Sequence, residues 1–133
     1  MPFIRISLAV EQPSAEQVKH LQSETTRLMA EILSKRPEVT AVAVEFAPSL
    51  SWSVGGDSLK EDSGLGQMEA FITAGTNTEQ EKADFIAAAY QMLVAVLGPG
   101  CSPVYVVVIE VDAANWGYDG QTQVARKIAA QML

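Results

Sequence analysis

The sequence predicts an α/β (α+β) fold made of two tandem βαβ units, which form a four-stranded sheet with two helices on one face. Each half of the chain carries a strand–helix–strand pattern, and strands that alternate with long helical segments indicate βαβ units. Landmarks also recur at nearly the same interval in the two halves, as in an internal repeat; they pair Glu16 with Glu79, Glu45 with Glu110, and Trp52 with Trp116. A chain of 133 residues, 48% of them hydrophobic, is large enough for one core. We therefore predict a single domain over residues 1–133, with pseudo-repeats at about 2–56 and 67–120.

The first unit is predicted to contain a strand at 3–9, a helix from about 14 to 35 and a strand at 39–46. Ser14 and Gln17 fit a capping box, in which each side chain satisfies a backbone N–H of the first helical turn. Apolar residues then recur at the spacing of one buried helix face, at Val18, Leu21, Leu28, Met29 and Ile32.

The second unit repeats this order, with a strand at 68–74, a helix from about 78 to 97 and a strand at 104–111. Thr78 or Asn77 can cap the helix, and Gly98 opens the turn that ends it. Residues 55–66 are polar and rich in glycine, and they lack the Gly-Lys-Ser/Thr triplet of a phosphate-binding loop. We interpret them as a connector between the units.

A sheet with both helices on one face leaves its other face uncovered. Right-handed βαβ crossovers place the helices together, and we expect Val106, Val108 and their neighbours to need a partner surface. Association of several subunits through their sheet faces would provide one.

Charge and cysteine content exclude several classes of function. The formal net charge of −7 argues against nucleic acid or an anionic membrane as a partner, since both need clustered Lys and Arg. The lone Cys101 excludes an intrachain disulfide and a metal site made of cysteines alone. No signal-peptide pattern and no membrane-spanning run is visible, so we predict a cytoplasmic protein.

The opening Met1-Pro2 leads directly into an apolar strand. Removal of Met1 would leave Pro2 with a free secondary amine, and burial can lower the pKa of such an amine toward neutrality. Pro2 could then transfer protons at physiological pH. The alternative is that Pro2 merely follows the start codon.

A tandem βαβ pair that opens on Met-Pro resembles the tautomerase superfamily, whose members use an N-terminal proline as catalyst. Residues 35–44 and 51–56 resemble the turn, strand and Gly-Gly hairpin of that superfamily, and residues 111–120 are similar to the C-terminal part of macrophage migration inhibitory factor. The resemblance covers nearly the whole chain. It implies a homotrimer with pockets at the subunit boundaries.

The resemblance also implies roles for particular residues. Pro2 matches the catalytic base, and Lys35 matches a lysine that binds the substrate's carboxylate or carbonyl group. Tyr105 matches a pocket aromatic residue contributed by a neighbouring subunit. Further wall positions of the pocket fall on Trp52, Trp116 and Tyr118. From the residues alone, Lys35 could instead be a solvated lysine that complements the end of the first helix.

The chain departs from the family where related enzymes carry arginines or an asparagine. These positions are occupied here by Pro13, by Ala41 or Ala43, by residues near Ala74 and Thr76, and by Val107. Dehalogenation, decarboxylation and tight binding of dicarboxylates are therefore disfavoured. We expect a keto–enol tautomerase that needs neither a metal nor an organic cofactor and acts on a small 2-oxo acid resembling phenylpyruvate. The alternative is a trimeric binding or interaction protein of this fold with weak or no catalysis.

Overall fold

The computed structural model describes residues 1–60 and 63–132. Its first half contains strand β1 (Phe3–Ala9), helix α1 (Ala15–Leu33) and strand β2 (Ala41–Ala47), followed by a small hairpin of β3 (Ser53–Val54) and β4 (Asp57–Ser58). Its second half contains β5 (Gly66–Thr73), α2 (Glu79–Leu97) and β6 (Val104–Val111), followed by a hairpin of β7 (Gly117–Tyr118) and β8 (Gln121–Thr122) and by helix α3 (Gln123–Gln131). Short 3₁₀ turns at Pro37–Val39 and Ser49–Ser51 flank β2.

The main sheet has four strands in the order β2-β1-β5-β6. Strand β1 pairs with β2 in parallel, and β5 pairs with β6 in parallel. The two βαβ units meet through the antiparallel pair β1 and β5. The prediction of a mixed α/β fold with a four-stranded sheet and two covering helices is confirmed.

One hydrophobic core lies between this sheet and helices α1 and α2. Alternate residues of β1 and β5 point into it, as the two-residue period of a strand requires. The fully buried residues of the core are Ile4, Ile6, Leu8, Leu21, Met29, Met68, Ala70, Phe85, Ala89 and Leu93. Because both helices contribute to this cluster, they cover the same face of the sheet.

The opposite face of the sheet carries the other residues of each strand, and we call it the open face. On β6, Tyr105 is 59% exposed and Val107 is 41% exposed. Val106 and Val108 instead pack against the core. The expectation that these two valines need an external partner is therefore wrong. Alternate residues of a strand face opposite sides of the sheet, and the apolar residues of β6 that lie uncovered on the open face are Tyr105 and Val107.

Local interactions fix the helix ends close to the predicted positions. The Ser14 hydroxyl accepts from the Gln17 N–H while the Gln17 side chain accepts from the Ser14 N–H, which completes the predicted capping box. Thr78, rather than Asn77, caps α2 in the same reciprocal way with Glu81. Helix α1 ends at Ser34, whose backbone is left-handed with φ 59°.

The predicted connector at 55–66 is only in part irregular. Gly55 and Gly56 form the turn of the β3–β4 hairpin with φ values of 64° and 86°, which only glycine adopts easily. Gly66 begins β5, and a Cβ there would lie 2.8 Å from the Leu97 side chain. Residues 61 and 62 of the connector lie outside the described residues.

Helix α3 was not predicted from the sequence. Its start is capped by the Thr122 hydroxyl, which accepts from the Ala125 N–H at 3.0 Å. Within residues 1–60 and 63–132, no helix combines the length and the apolar character needed to cross a bilayer.

Candidate active site

A cavity of about 320 Å³ lies where the chain begins. Because β1 and β5 are antiparallel, the start of β1 lies beside the end of β5. We call this space the amino-terminal cavity, and its lining residues are Met1, Lys35, Thr73, Ala74, Gly75, Thr76, Ala113, Gln123 and Lys127.

Pro2 is buried beside this cavity. Its carbonyl oxygen accepts from the Ala41 N–H at 3.3 Å, which holds it between β1 and β2. The amino group of the chain, on Met1, has its pKa lowered by burial and then by the cations Lys35, Arg36 and Arg126. Desolvation and positive charge both disfavour the protonated amine, so this position favours a neutral amine.

Lys35 lies immediately after the left-handed residue that ends α1, so its side chain leaves the helix toward the amino-terminal cavity. Its Nζ donates to Thr76 Oγ1 at 2.9 Å, and that hydroxyl donates to the Thr73 carbonyl oxygen at 2.6 Å. Burial lowers the pKa of Lys35, while the carboxylates of Glu81 and Glu110 act in the opposite direction. A lysine has three N–H donors, so the bond to Thr76 leaves capacity to bind an anionic group.

Trp116 reaches the first residue of the chain from the β6–β7 turn. Its indole Nε1 donates to the Met1 carbonyl oxygen at 2.9 Å. Its ring stacks on Phe71 of β5, with centroids 6.0 Å apart and planes inclined by 21°. Its own carbonyl oxygen accepts from the Gln123 N–H at 2.8 Å, which links it to the start of α3. The indole is therefore held by one hydrogen bond and one stacking contact, and the Trp116 backbone is held by the bond from Gln123.

Tyr118 follows Trp116 by two residues and lies under the guanidinium of Arg126. The Arg126 Cζ lies 5.0 Å from the centroid of the Tyr118 ring, within the range of a cation–π contact. Arg126 Nη2 also donates to the Tyr118 carbonyl oxygen at 2.7 Å. Among the described residues, the buried Arg126 Nε has no hydrogen-bond acceptor.

Trp52 and Tyr105 lie together in a different place. They line a cavity of about 570 Å³ on the open face, with residues 53–55, Leu65, Gln67, Pro103 and Val107. We call it the aromatic cavity. It adjoins the start of β5, whereas the amino-terminal cavity adjoins its end. Six residues of strand separate Gln67 from Thr73, a distance of about 20 Å.

The structure thus brings Pro2, Lys35 and Trp116 together, places Tyr118 beside them, and keeps Trp52 and Tyr105 apart from them within one subunit. Five polar residues of the amino-terminal cavity and its border were missed: Thr73, Thr76, Gln123, Arg126 and Lys127. A signal for the last three was present, because Thr122 precedes apolar residues at Val124 and Ile128, a helical spacing.

The sequence of the first unit matches known proteins. The family model for tautomerase enzymes matches residues 2–62. Probable tautomerase K2 of Dickeya dadantii (strain 3937) is 34% identical over 61 residues, which are 46% of this chain and 91% of that protein. The chain belongs to the tautomerase family. The predicted resemblance is confirmed, as is the prediction of a tautomerase-type enzyme.

Solved structures extend the likeness of this tautomerase to the whole fold. A wild-type fused 4-OT, described as an asymmetric trimer, superposes with a TM-score of 0.80 at 20% identity, over 93% of this chain and 98% of that one. The protein Pt0534, inactivated by 2-oxo-3-pentynoate, gives 0.81 at 21% identity over 93% and 98%. A macrophage migration inhibitory factor-like protein from Entamoeba histolytica gives 0.69 at 21% identity over 91% and 97%. At these identities the likeness shows the fold.

Proposed function

We propose that this tautomerase interconverts keto and enol forms without a cofactor, and that Pro2, exposed by removal of Met1, is its general acid and base. One observation carries the proposal: the chain's amino group lies in a cavity beside Lys35, and its pKa is lowered. Once Met1 is removed, the amine is that of buried Pro2, and we expect the same burial and neighbouring cations to lower its pKa. A base with a pKa near the working pH is the most effective.

The mechanism moves one proton within the substrate. The neutral Pro2 nitrogen takes a proton from the carbon next to the carbonyl group, and the C–H electron pair becomes the new carbon–carbon double bond. The carbonyl π pair moves to oxygen and leaves an enolate. The protonated Pro2 then returns the proton to that oxygen, or to another carbon. A positioned acid–base group of this kind contributes about 10²–10⁴-fold in rate.

We propose a small 2-oxo acid resembling phenylpyruvate as the substrate. Lys35 supplies a cation for the substrate's carboxylate, and Lys127 lines the same cavity. The family's arginine positions are occupied by uncharged residues such as Pro13 and Ala41. Aromatic walls suit an aromatic side group. Pt0534, which is inactivated by a 2-oxo compound, shares this fold.

We further propose a homotrimer whose sites combine the two cavities across subunit boundaries. Tyr105 and Trp52 lie about 20 Å of strand away from Pro2 in one subunit, so a neighbour must bring them to the amine. The open face, with Tyr105 and Val107 exposed, offers an apolar surface for that contact. The similar fused 4-OT is a trimer. The single cysteine is consistent with a cytoplasmic location.

A specific contact also favours the second candidate, a binding protein without useful turnover. The Met1 carbonyl oxygen accepts a hydrogen bond from the Trp116 indole N–H, so Met1 has a defined position in the cavity. A protein that kept Met1 would have no free amine on Pro2.

Two measurements decide between these functions. The mass of the purified protein shows whether Met1 is absent, and enol–keto conversion of phenylpyruvate is followed for wild type and Pro2→Ala. The exposed Pro99→Ala serves as the matched control and should convert phenylpyruvate at the wild-type rate. Retained Met1 with no turnover would contradict the enzyme proposal. Undiminished turnover in Pro2→Ala would contradict Pro2 as the base.

A further inference from the structure

The Met1 carbonyl group lies between the Pro2 nitrogen and the indole of Trp116. Its oxygen accepts the Trp116 indole N–H at 2.9 Å, and its carbon is bonded to the Pro2 nitrogen. Two atoms joined to one amide carbon are about 2.3 Å apart, so the indole nitrogen lies within about 5 Å of the Pro2 nitrogen.

Removal of Met1 takes away this acceptor and leaves the donor in place. The Trp116 ring stacks on Phe71, and the Trp116 backbone is held by the bond from the Gln123 N–H to its carbonyl oxygen. Neither contact involves Met1. The indole N–H would then lie part-buried, unpaired, and beside the catalytic amine, and a part-buried donor without a partner binds an oxygen readily.

We infer that Trp116 is a catalytic residue, whose indole N–H donates a hydrogen bond to the 2-oxo oxygen of the substrate and stabilises it as it becomes an enolate. This inference rests on the proposed function of Pro2. Trp116 then takes part in catalysis and does not only line the pocket. The 2-oxo oxygen of the substrate binds to Trp116, and its carboxylate binds to Lys35.

The distances fit proton transfer. Reacting atoms in a productive complex lie about 3–3.5 Å apart, and an enolisable carbon is separated from its neighbouring carbonyl oxygen by two bonds. A substrate that spans the gap of about 5 Å between the two nitrogens can present its C–H to Pro2 and its oxygen to the indole. The donor needs no reorganisation when charge develops, which is the condition under which such bonds accelerate a reaction most.

The kinetic test is Trp116→Phe, which keeps an aromatic ring against Phe71 and removes the N–H together with one ring of the indole. We expect kcat for phenylpyruvate to fall by about 10²-fold, as for loss of one oxyanion donor, with KM nearly unchanged. The pH at which Pro2 titrates in the rate profile should remain close to that of wild type. An unchanged kcat would overturn the inference, and so would a loss confined to KM.

A binding test reads the contact without turnover. The protein has two tryptophans, and Trp52→Phe assigns their two indole N–H resonances in ¹⁵N-labelled, Met1-free protein. The Trp116 proton should move downfield on addition of phenylpyruvate but not of 3-phenylpropanoate, which lacks the 2-oxo group. Equal shifts with both ligands would place the carboxylate on Trp116 and overturn the inference, as would no shift in a sample saturated with phenylpyruvate. If wild type binds but does not turn over, the proposed function fails while this contact is still tested.

Discussion

Removal of the Lys35 charge should weaken catalysis on an acid more than on its neutral ester. The change is Lys35→Met, which keeps an unbranched side chain. The Nζ atom is half-buried and bonded to the neutral Thr76 hydroxyl, so a substrate carboxylate would be its partner of opposite charge in the site. A hydrogen bond to a charged group contributes about 1.5–3 kcal/mol, and the partial exposure of Lys35 places this one at the lower end.

The expected loss follows from that energy, since every 1.4 kcal/mol is a factor of ten. We expect kcat/KM for phenylpyruvate to fall by about 10–30-fold, and kcat/KM for methyl phenylpyruvate to fall much less. Lys19→Met, on the exposed surface of α1, makes the same change in net charge and should leave both values unaltered. Equal losses for the acid and the ester in Lys35→Met would remove Lys35 from carboxylate binding.

Four further outcomes follow from the structure. Arg126 is one of the cations that lower the pKa of the Met1 amine, and under the proposed function it acts in the same way on Pro2. Arg126→Gln should then raise the pKa of Pro2 and move the acidic limb of kcat/KM, where the base becomes protonated, to higher pH. A move to lower pH would contradict this. Phe85 is fully buried, and Phe85→Ala should lower the free energy of unfolding by about 3–5 kcal/mol in urea titrations. Thr78→Ala removes the cap of α2 and should cost about 1 kcal/mol, while Asp84→Ala on the same helix's exposed face should change stability by less than half of that. Light scattering at micromolar concentration should give the mass of a trimer, and a monomeric mass would refute the assembled site.

The main elements of the fold could be predicted because their signals are local. The caps at Ser14 and Thr78 and the β-branched strands lie within a few residues of what they determine. The repeat then predicted two βαβ units within one four-stranded sheet. The sequence signal for helix α3 is weaker. The helix is short, its residues are largely exposed, and its cap at Thr122 follows a hairpin.

The site could be predicted only in part, because its contacts join distant parts of the chain. The Lys35–Thr76 bond spans 41 residues and the Trp116–Met1 bond spans 115. The resemblance to tautomerases indicated which residues belong to a pocket. It could not show which of them share a cavity in one subunit, or that Arg126 lies close enough to act on the amine.

The two tryptophans occupy matching positions after the two βαβ units, but only Trp116 contacts the first residue of the chain. After the second unit, the Trp116 carbonyl oxygen accepts from the Gln123 N–H at 2.8 Å. At the matching place after the first unit, the Trp52 carbonyl oxygen accepts from the Leu59 N–H at 3.0 Å. Trp116 then faces the free beginning of β1, whereas Trp52 lies in the cavity beside Gln67, near the beginning of β5, where the chain is continuous and no amine can exist. Among the described residues, the Trp52 indole nitrogen is buried without an acceptor. Under the proposed function, the catalytic amine and the aromatic cavity thus lie at opposite ends of β5, so that residues around Trp52 can change without altering the surroundings of Pro2 in the same subunit.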